Sequence, residues 1–380
     1  MRHLIKPGNS KGLSLIELLI AMVLGLTLTT GVVQIYMGSN TTERDREARQ
    51  QMQENGRFGM NFLSREIRMA GYMGCSGSID PADVNSTLAG GVPASFQPMA
   101  GIQGWEAGGT DPGTINNSAN NVAVVSSATA EWTTTAGNVA STFNAVPNSD
   151  IVRVWSATTL PGTIDSINPA ASPVVVTYPT DLNPGDFVML SDCEHADIVQ
   201  VCQKSQGAPG SGLENLILSS SCAPGNLVNP PITTEAGGEA IKLQGTVFYV
   251  GKRGDVASNP PALFRRQLAV DGTAGAAEEL IEGIESMQLL YGVNLDGDAR
   301  NTVDSYLVAD LVPDWSNVIS VRVSLLMQSI EDGTVPAPQA YSFDGVSYDG
   351  GGGNGALPAD DRVRRVFTST ISLRNRALGN

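Results

Sequence analysis

Glu17 is the side chain most in need of a chemical explanation, because it is the only charged residue in the apolar stretch from Leu13 to Met37. A carboxylate in such surroundings is costly and demands a cation or a route to water. Beyond that stretch stand four cysteines, Cys75, Cys193, Cys202 and Cys222, which allow three disulfide pairings. We favour Cys75 with Cys193, which ties the end of a long helix to the body, and Cys202 with Cys222, which closes a local loop. A metal site using Cys193, His195 and Cys202 lacks the paired C-x-x-C spacing of structural zinc. Asn294, Asp296, Asp298 and Asp304 offer hard oxygen ligands of the kind Ca²⁺ takes. Ala299 at the sixth position, and Ser305 where a bidentate Glu belongs, fit an ordinary Asp-Gly turn instead. Apart from that weak Ca²⁺ candidate, no cofactor is expected. His195 is the one histidine after the apolar stretch, and there is no H-E-x-x-H, phosphate loop or dinucleotide fingerprint, so an enzyme is not expected.

The elements that must position these residues follow from charge and periodicity. Residues 1–12 carry Arg2, Lys6 and Lys11 and no acid. The whole chain of 380 residues holds 23 Lys and Arg against 38 Asp and Glu, a net −15, which gives no basic surface for a nucleic-acid partner. Residues 13–37 as a helix would run about 37 Å, enough to cross a hydrocarbon core of about 30 Å. The basic flank keeps the leader cytoplasmic and sends everything after residue 37 to the oxidising side, where the cysteines are expected to pair. From residue 38 to 71 a stripe of Ala48, Met52, Leu63, Ile67 and Ala70 at helical spacing predicts an amphipathic second half. Gly38, Gly56, Gly59 and Gly71 read as weak points in it, and the helix should end near Gly71.

Residues 72–380 change to short apolar runs between Gly, Pro, Asn and Asp, the pattern of strands and turns. The clearest strand alternates Ile319, Val321, Val323, Leu325 and Met327 with Ser320, Arg322 and Ser324. Others are expected at residues 151–155, 187–190, 216–218, 247–250, 263–268 and 366–373, while residues 281–293 are read as able to open as a helix before extending. The small-residue segment 84–148 and the glycine tract 349–356 read as surface excursions. The fold class is α+β: a long N-terminal helix, membrane-spanning in its first half, packed on a β-rich globular head.

Lys11-Gly12 followed by Leu13-Ser14-Leu15-Ile16-Glu17-Leu18 resembles the prepilin motif of type IV pilins and type II secretion pseudopilins. The resemblance implies a prepilin peptidase cut between Gly12 and Leu13 and N-methylation of Leu13, which stands where Phe or Met is more usual. It also gives Glu17 a cation, the amino-terminal ammonium of a neighbouring subunit, and makes their pairing the device that sets axial register. Residues 68–75, 191–198, 290–293, 314–318 and 367–376 extend the likeness to the PilW family of type IV minor pilins. That family implies a single-pass inner-membrane protein with a periplasmic head, which passes into the pilus fibre at the cell surface. The implied partners are other minor pilins, the major pilin and a tip adhesin, and the implied service is twitching motility, adhesion or DNA uptake. A minor pseudopilin of a type II secretion system is the alternative. Intact-mass analysis of the membrane-extracted protein tests the motif directly: residues 1–12 should be lost only when the peptidase is present, and an unchanged Met1 terminus contradicts the reading.

Overall fold

The computed structural model describes residues 14–75, 79, 83–91, 98–107, 112, 143, 145–146, 149–157, 162–167, 173–228, 231–254, 259–268, 275–296, 302–334, 339–348 and 360–377. One helix, Leu15–Arg68, runs unbroken for 54 residues. Ser14 is its N-cap, and the Ser14 N–H donates to Glu17 Oε2 at 3.3 Å, so the acid of the apolar stretch also serves the helix start. The helix closes at Met69, and two residues later the Gly71 N–H bonds the Trp155 carbonyl at 2.9 Å, tying the helix end to a strand of the head.

The second half of the helix lies on an antiparallel sheet of four strands, ordered Ser305–Leu307, Ile284–Val293, Val318–Gln328 and Arg364–Ser372. Val318–Gln328 is a strand as expected, with Val321, Val323, Leu325 and Met327 fully buried in one core with Met52, Leu63 and Ile67 of the helix. Its other face is covered too: Ser320 and Ser324 are buried and Arg322 alone is half-buried. Gly56 and Gly59 do not interrupt the helix, against the expectation of weak points there. Both are buried on the contact face. A Cβ on Gly56 would run into the ring of Phe367, and one on Gly59 would stand 3.0 Å from Ile281 Cδ1. The two glycines let the helix backbone sit directly on the sheet.

Residues 281–293 do not open as a helix. Glu278–Glu282 and Ile284–Val293 are both strands, separated by Gly283, whose φ of +83° supplies the bend. The segment 84–148 is also more than a surface excursion: Ile102–Trp105 is a wholly buried strand paired with Ile151–Ala157. The tract 349–356 and residues 113–142 lie outside the described residues.

A second sheet holds twelve strands among the described residues and is organised by the 13-residue strand Glu239–Gly251. Its first part pairs with Phe187–Ser191, its later part with Ile151–Ala157 on one side and Ala262–Gln267 on the other. Ser149 and Asp150 join this sheet to the four-stranded one. The Asp150 carboxylate accepts the Ala107 N–H at 3.0 Å and the Leu289 N–H at 2.7 Å, while its own N–H bonds the Met287 carbonyl at 2.8 Å. Ser149 Oγ accepts the Met287 N–H at 3.0 Å. Residues 287–289 would otherwise leave these backbone groups without a strand partner. Burial, helped by the neighbouring Glu106, pushes the Asp150 carboxyl well above the usual carboxylate range against the pull of its two N–H donors.

The contrast between helix glycines is testable. Gly56→Leu should destabilise the head by about 1–3 kcal/mol through overpacking against Phe367. Gly38→Leu, at a position with no atom within 4 Å, should leave the denaturant midpoint in place.

Candidate assembly surface

The helix presents three consecutive environments. Leu15–Met37 stands clear of the head, with large side chains such as Leu15, Leu28 and Ile35 about three-quarters exposed and none of its apolar window buried. It is apolar and long enough to cross a membrane. The hydroxyls in this half are satisfied within the helix: Thr27 Oγ1 donates to the Leu24 carbonyl at 2.9 Å, Thr29 to Gly25 at 2.7 Å and Thr30 to Leu26 at 2.8 Å. Returned to the backbone in this way, they present hydrocarbon rather than unpaired polar atoms.

Residues 38–51 form a polar stalk of about 21 Å at 1.5 Å per residue. Asp45 and Arg49 pair at 2.8 Å across one turn of it, and Ala48, predicted for the contact stripe, is half-buried. Below the stalk Met52, Leu63, Ile67 and Ala70 are buried as their spacing predicts. The contact residues missed by periodicity are Gly56 and Gly59. Their signal was their position, four and seven residues after Met52 on the stripe, where a missing side chain marks close approach as readily as weakness.

Glu17 is exposed, its contact with Ser14 lies within its own turn, and among the described residues it forms no ion pair with the head. Gly12 and Leu13, the two sides of the expected cut, lie outside the described residues. All four cysteines are disulfide-bonded, Cys75 to Cys193 with Cα atoms 5.1 Å apart and Cys202 to Cys222 with Cα atoms 5.4 Å apart. With Cys193 and Cys202 both oxidised, neither is a thiolate ligand for zinc.

Of the oxygen-rich segment, Asn294, Asp296 and Asp304 are described and Asp298 is not. Asp304 Oδ2 accepts the N–H groups of Leu295 and Asp296 at 2.7 and 3.2 Å, the arrangement of an Asp-closed turn. Among the described residues no group of three or more His, Cys, Asp or Glu is arranged to hold a metal ion.

The turn between Phe187–Ser191 and Ala196–Gln200 is organised by Asp192. One of its oxygens accepts the N–H groups of Glu194 at 3.0 Å and His195 at 2.7 Å; the other accepts Glu235 N–H at 2.8 Å. His195 Nδ1 lies 3.2 Å from the same carboxylate. Partial burial raises the Asp192 pKa, but the three N–H groups and the imidazole outweigh it and hold the carboxyl at about 2. His195 is thus a partner in a turn.

Comparison with known proteins bears on this geometry. Residues 247–375 match the family profile of type IV pilus-assembly protein W, and residues 7–33 match the prokaryotic N-terminal methylation motif. In these two segments the chain is similar to type IV pilus proteins. The first match spans all four strands of the sheet that receives the helix; the second spans the expected cleavage border and most of the apolar half. Among solved structures the chain is similar to a type IV-like pilin from Thermus thermophilus, at 14% identity over 51% of this chain and 86% of that one, with a TM-score of 0.20. No curated protein matches it.

Asp192 provides a pH test of the turn. An unfolded Asp titrates near about 3.9, so the stability contributed by its lower folded pKa is present above about pH 4 and is lost as pH falls toward about 2. Asp192→Asn should lower the denaturant midpoint at neutral pH, and its midpoint should then fall less than that of the wild type across the acid window.

Proposed function

We propose that this protein is a minor pilin that assembles with other minor pilins to prime type IV pilus biogenesis. Prepilin peptidase cuts between Gly12 and Leu13, Leu13 is N-methylated, and residues 13–37 hold the protein in the bacterial inner membrane with its head in the periplasm. The head and helix then join other minor pilins and the major pilin, at or near the pilus tip and beside an adhesin-like partner. The observation that carries this reading is the division of one continuous helix. Its second half is packed on the head, whereas its first half is apolar, unburied and charged only at Glu17, and so leaves both a hydrophobic surface and one acid for neighbouring subunits. A plain membrane anchor needs the first feature and has no use for the second.

The chemistry at Glu17 is charge neutralisation in hydrocarbon. The cut at Gly12 creates an ammonium on Leu13, and the corresponding ammonium of a neighbouring subunit meets Glu17 only at one axial offset, so the pair rewards correct stacking and penalises slippage. Glu17→Ala should still insert and be cleaved, yet be recovered with the other minor pilins at least about tenfold less well, because losing one partner of an ion pair in low dielectric costs several kcal/mol. Deleting the gene should abolish surface piliation and spare exoprotein secretion; the opposite pattern assigns the protein to a type II secretion system as a minor pseudopilin.

A further inference from the structure

The Cys75–Cys193 disulfide lies in the wall of an open cavity of about 490 Å³ whose other lining includes Asp192, Glu194, Glu235 and Glu239. Cys193 and Glu194 are exposed, while Cys75 is half-buried. Three features hold acids and sulfur together. Asp192 gathers residues 194, 195 and 235 by its N–H bonds. A Cβ on Gly74 would stand 2.8 Å from Glu239 Oε2, so this carboxylate lies over the backbone beside Cys75. Ser191 Oγ lies 3.9 Å from Cys75 Sγ and accepts the Cys193 N–H at 3.2 Å. The imidazole of His195, near Asp192, is the basic group in this lining. The second disulfide has neutral surroundings: Cys202 Sγ lies 3.0 Å from the Ser219 carbonyl oxygen and Cys222 Sγ 3.3 Å from Gln200 Oε1.

We propose that this acidic basin is a charge filter on the Cys75–Cys193 disulfide, admitting cationic thiols and repelling anionic ones. Reduction begins when a thiolate attacks the exposed Cys193 sulfur; the bond between Cys193 and Cys75 breaks, and Cys75 leaves as a thiolate. A second thiolate then attacks the incoming sulfur of the mixed disulfide and releases Cys193 as a thiolate. Two thiols are oxidised to one small disulfide, and the two cysteine sulfurs accept the two electrons and then take protons from water. Negative charge enters the basin at the first step and stays on Cys75, beside Glu239, at the end of it. The carboxylates oppose both events by Coulomb repulsion. A positively charged group on the attacking thiol offsets that repulsion, whereas a sulfonate adds to it. The disulfide that ties the end of the helix to the head is thereby shielded from anionic reductants while remaining open to solvent.

The test uses the full-length protein in a nonionic detergent and three thiols sharing one two-carbon skeleton: cysteamine, 2-mercaptoethanol and 2-mercaptoethanesulfonate. They are compared at equal thiolate concentration, with alkylation and mass spectrometry reading each disulfide separately. Cys202–Cys222 is the internal reference. The rate at Cys75–Cys193 relative to Cys202–Cys222 should rise by roughly tenfold or more from the sulfonate to cysteamine at about 0.01 M salt, and the difference should collapse at about 1 M, where the screening length falls to about 3 Å. Combining Glu194→Gln with Glu235→Gln, both at exposed positions, should shrink the low-salt difference while both disulfides still form. Equal rate ratios for the three thiols overturn the proposal. So does a difference that survives high salt or the double substitution, or a Cys75–Cys193 bond that no thiol opens in the folded protein.

Discussion

The close seating of the helix on the four-stranded sheet is the contact on which the remaining architecture depends. Met52, Leu63 and Ile67 lose their water against Val323, Leu325 and their neighbours, and Gly56 and Gly59 remove the side chains that would hold the two backbones apart. With residues 52–67 held in this way, the helix direction is set by the head, and helical continuity carries that direction through the stalk to the apolar half. Without the seating, Leu15–Met37 would be a hydrophobic tail on a loose joint. With it, the apolar half and Glu17 stand at a defined distance and rotation from every surface of the head.

The head must resist the leverage of so long an arm, and it does so by joining its two sheets with polar groups as well as apolar ones. Ser149 and Asp150 cap backbone groups of Ile284–Val293 that have no strand partner there, and Asp150 reaches Ala107 in the other sheet. An acid buried among apolar residues is costly, as its raised pKa shows. Its place is explained by the two N–H donors it satisfies, which a hydrophobic residue of similar size would leave bare. Cys75–Cys193 supplies a covalent tie at the point where the chain leaves the helix, and the bond from the Gly71 N–H to the Trp155 carbonyl secures the same region from the sheet side.

The parts of this molecule governed by local rules were legible in the sequence. Residues 13–37 are apolar enough to read as a span in isolation, Glu17 stands out against them, and the alternation from Ile319 to Leu325 announces a strand, though not that Ser320 and Ser324 on its other face are buried as well. Segments with mixed signals were not legible. Residues 281–293 carry Glu, Gln, Leu and Met, which favour helices, yet the bend at Gly283 and pairing with Ala262–Gln267 before it and Val318–Gln328 after it make two strands of them. Ile102–Trp105 lies within a stretch of small polar residues, and nothing local announces that Trp105 is buried.

Which half of the helix can enter hydrocarbon, where its one charge lies, and that the body beyond is built of strands can all be read from the residues in order. These follow from composition and period, which act between near neighbours in the chain. That Gly56 and Gly59 are contacts, that Asp150 joins two sheets, and that four acidic residues line one cavity with a disulfide is visible in the folded molecule alone. Each of these brings together residues far apart in the chain: Gly56 meets Phe367, Asp150 meets Leu289, Cys75 is bonded to Cys193, and Glu239 lies over Gly74. No local pattern encodes such meetings, because the free energy that selects them comes from the packing of the whole core.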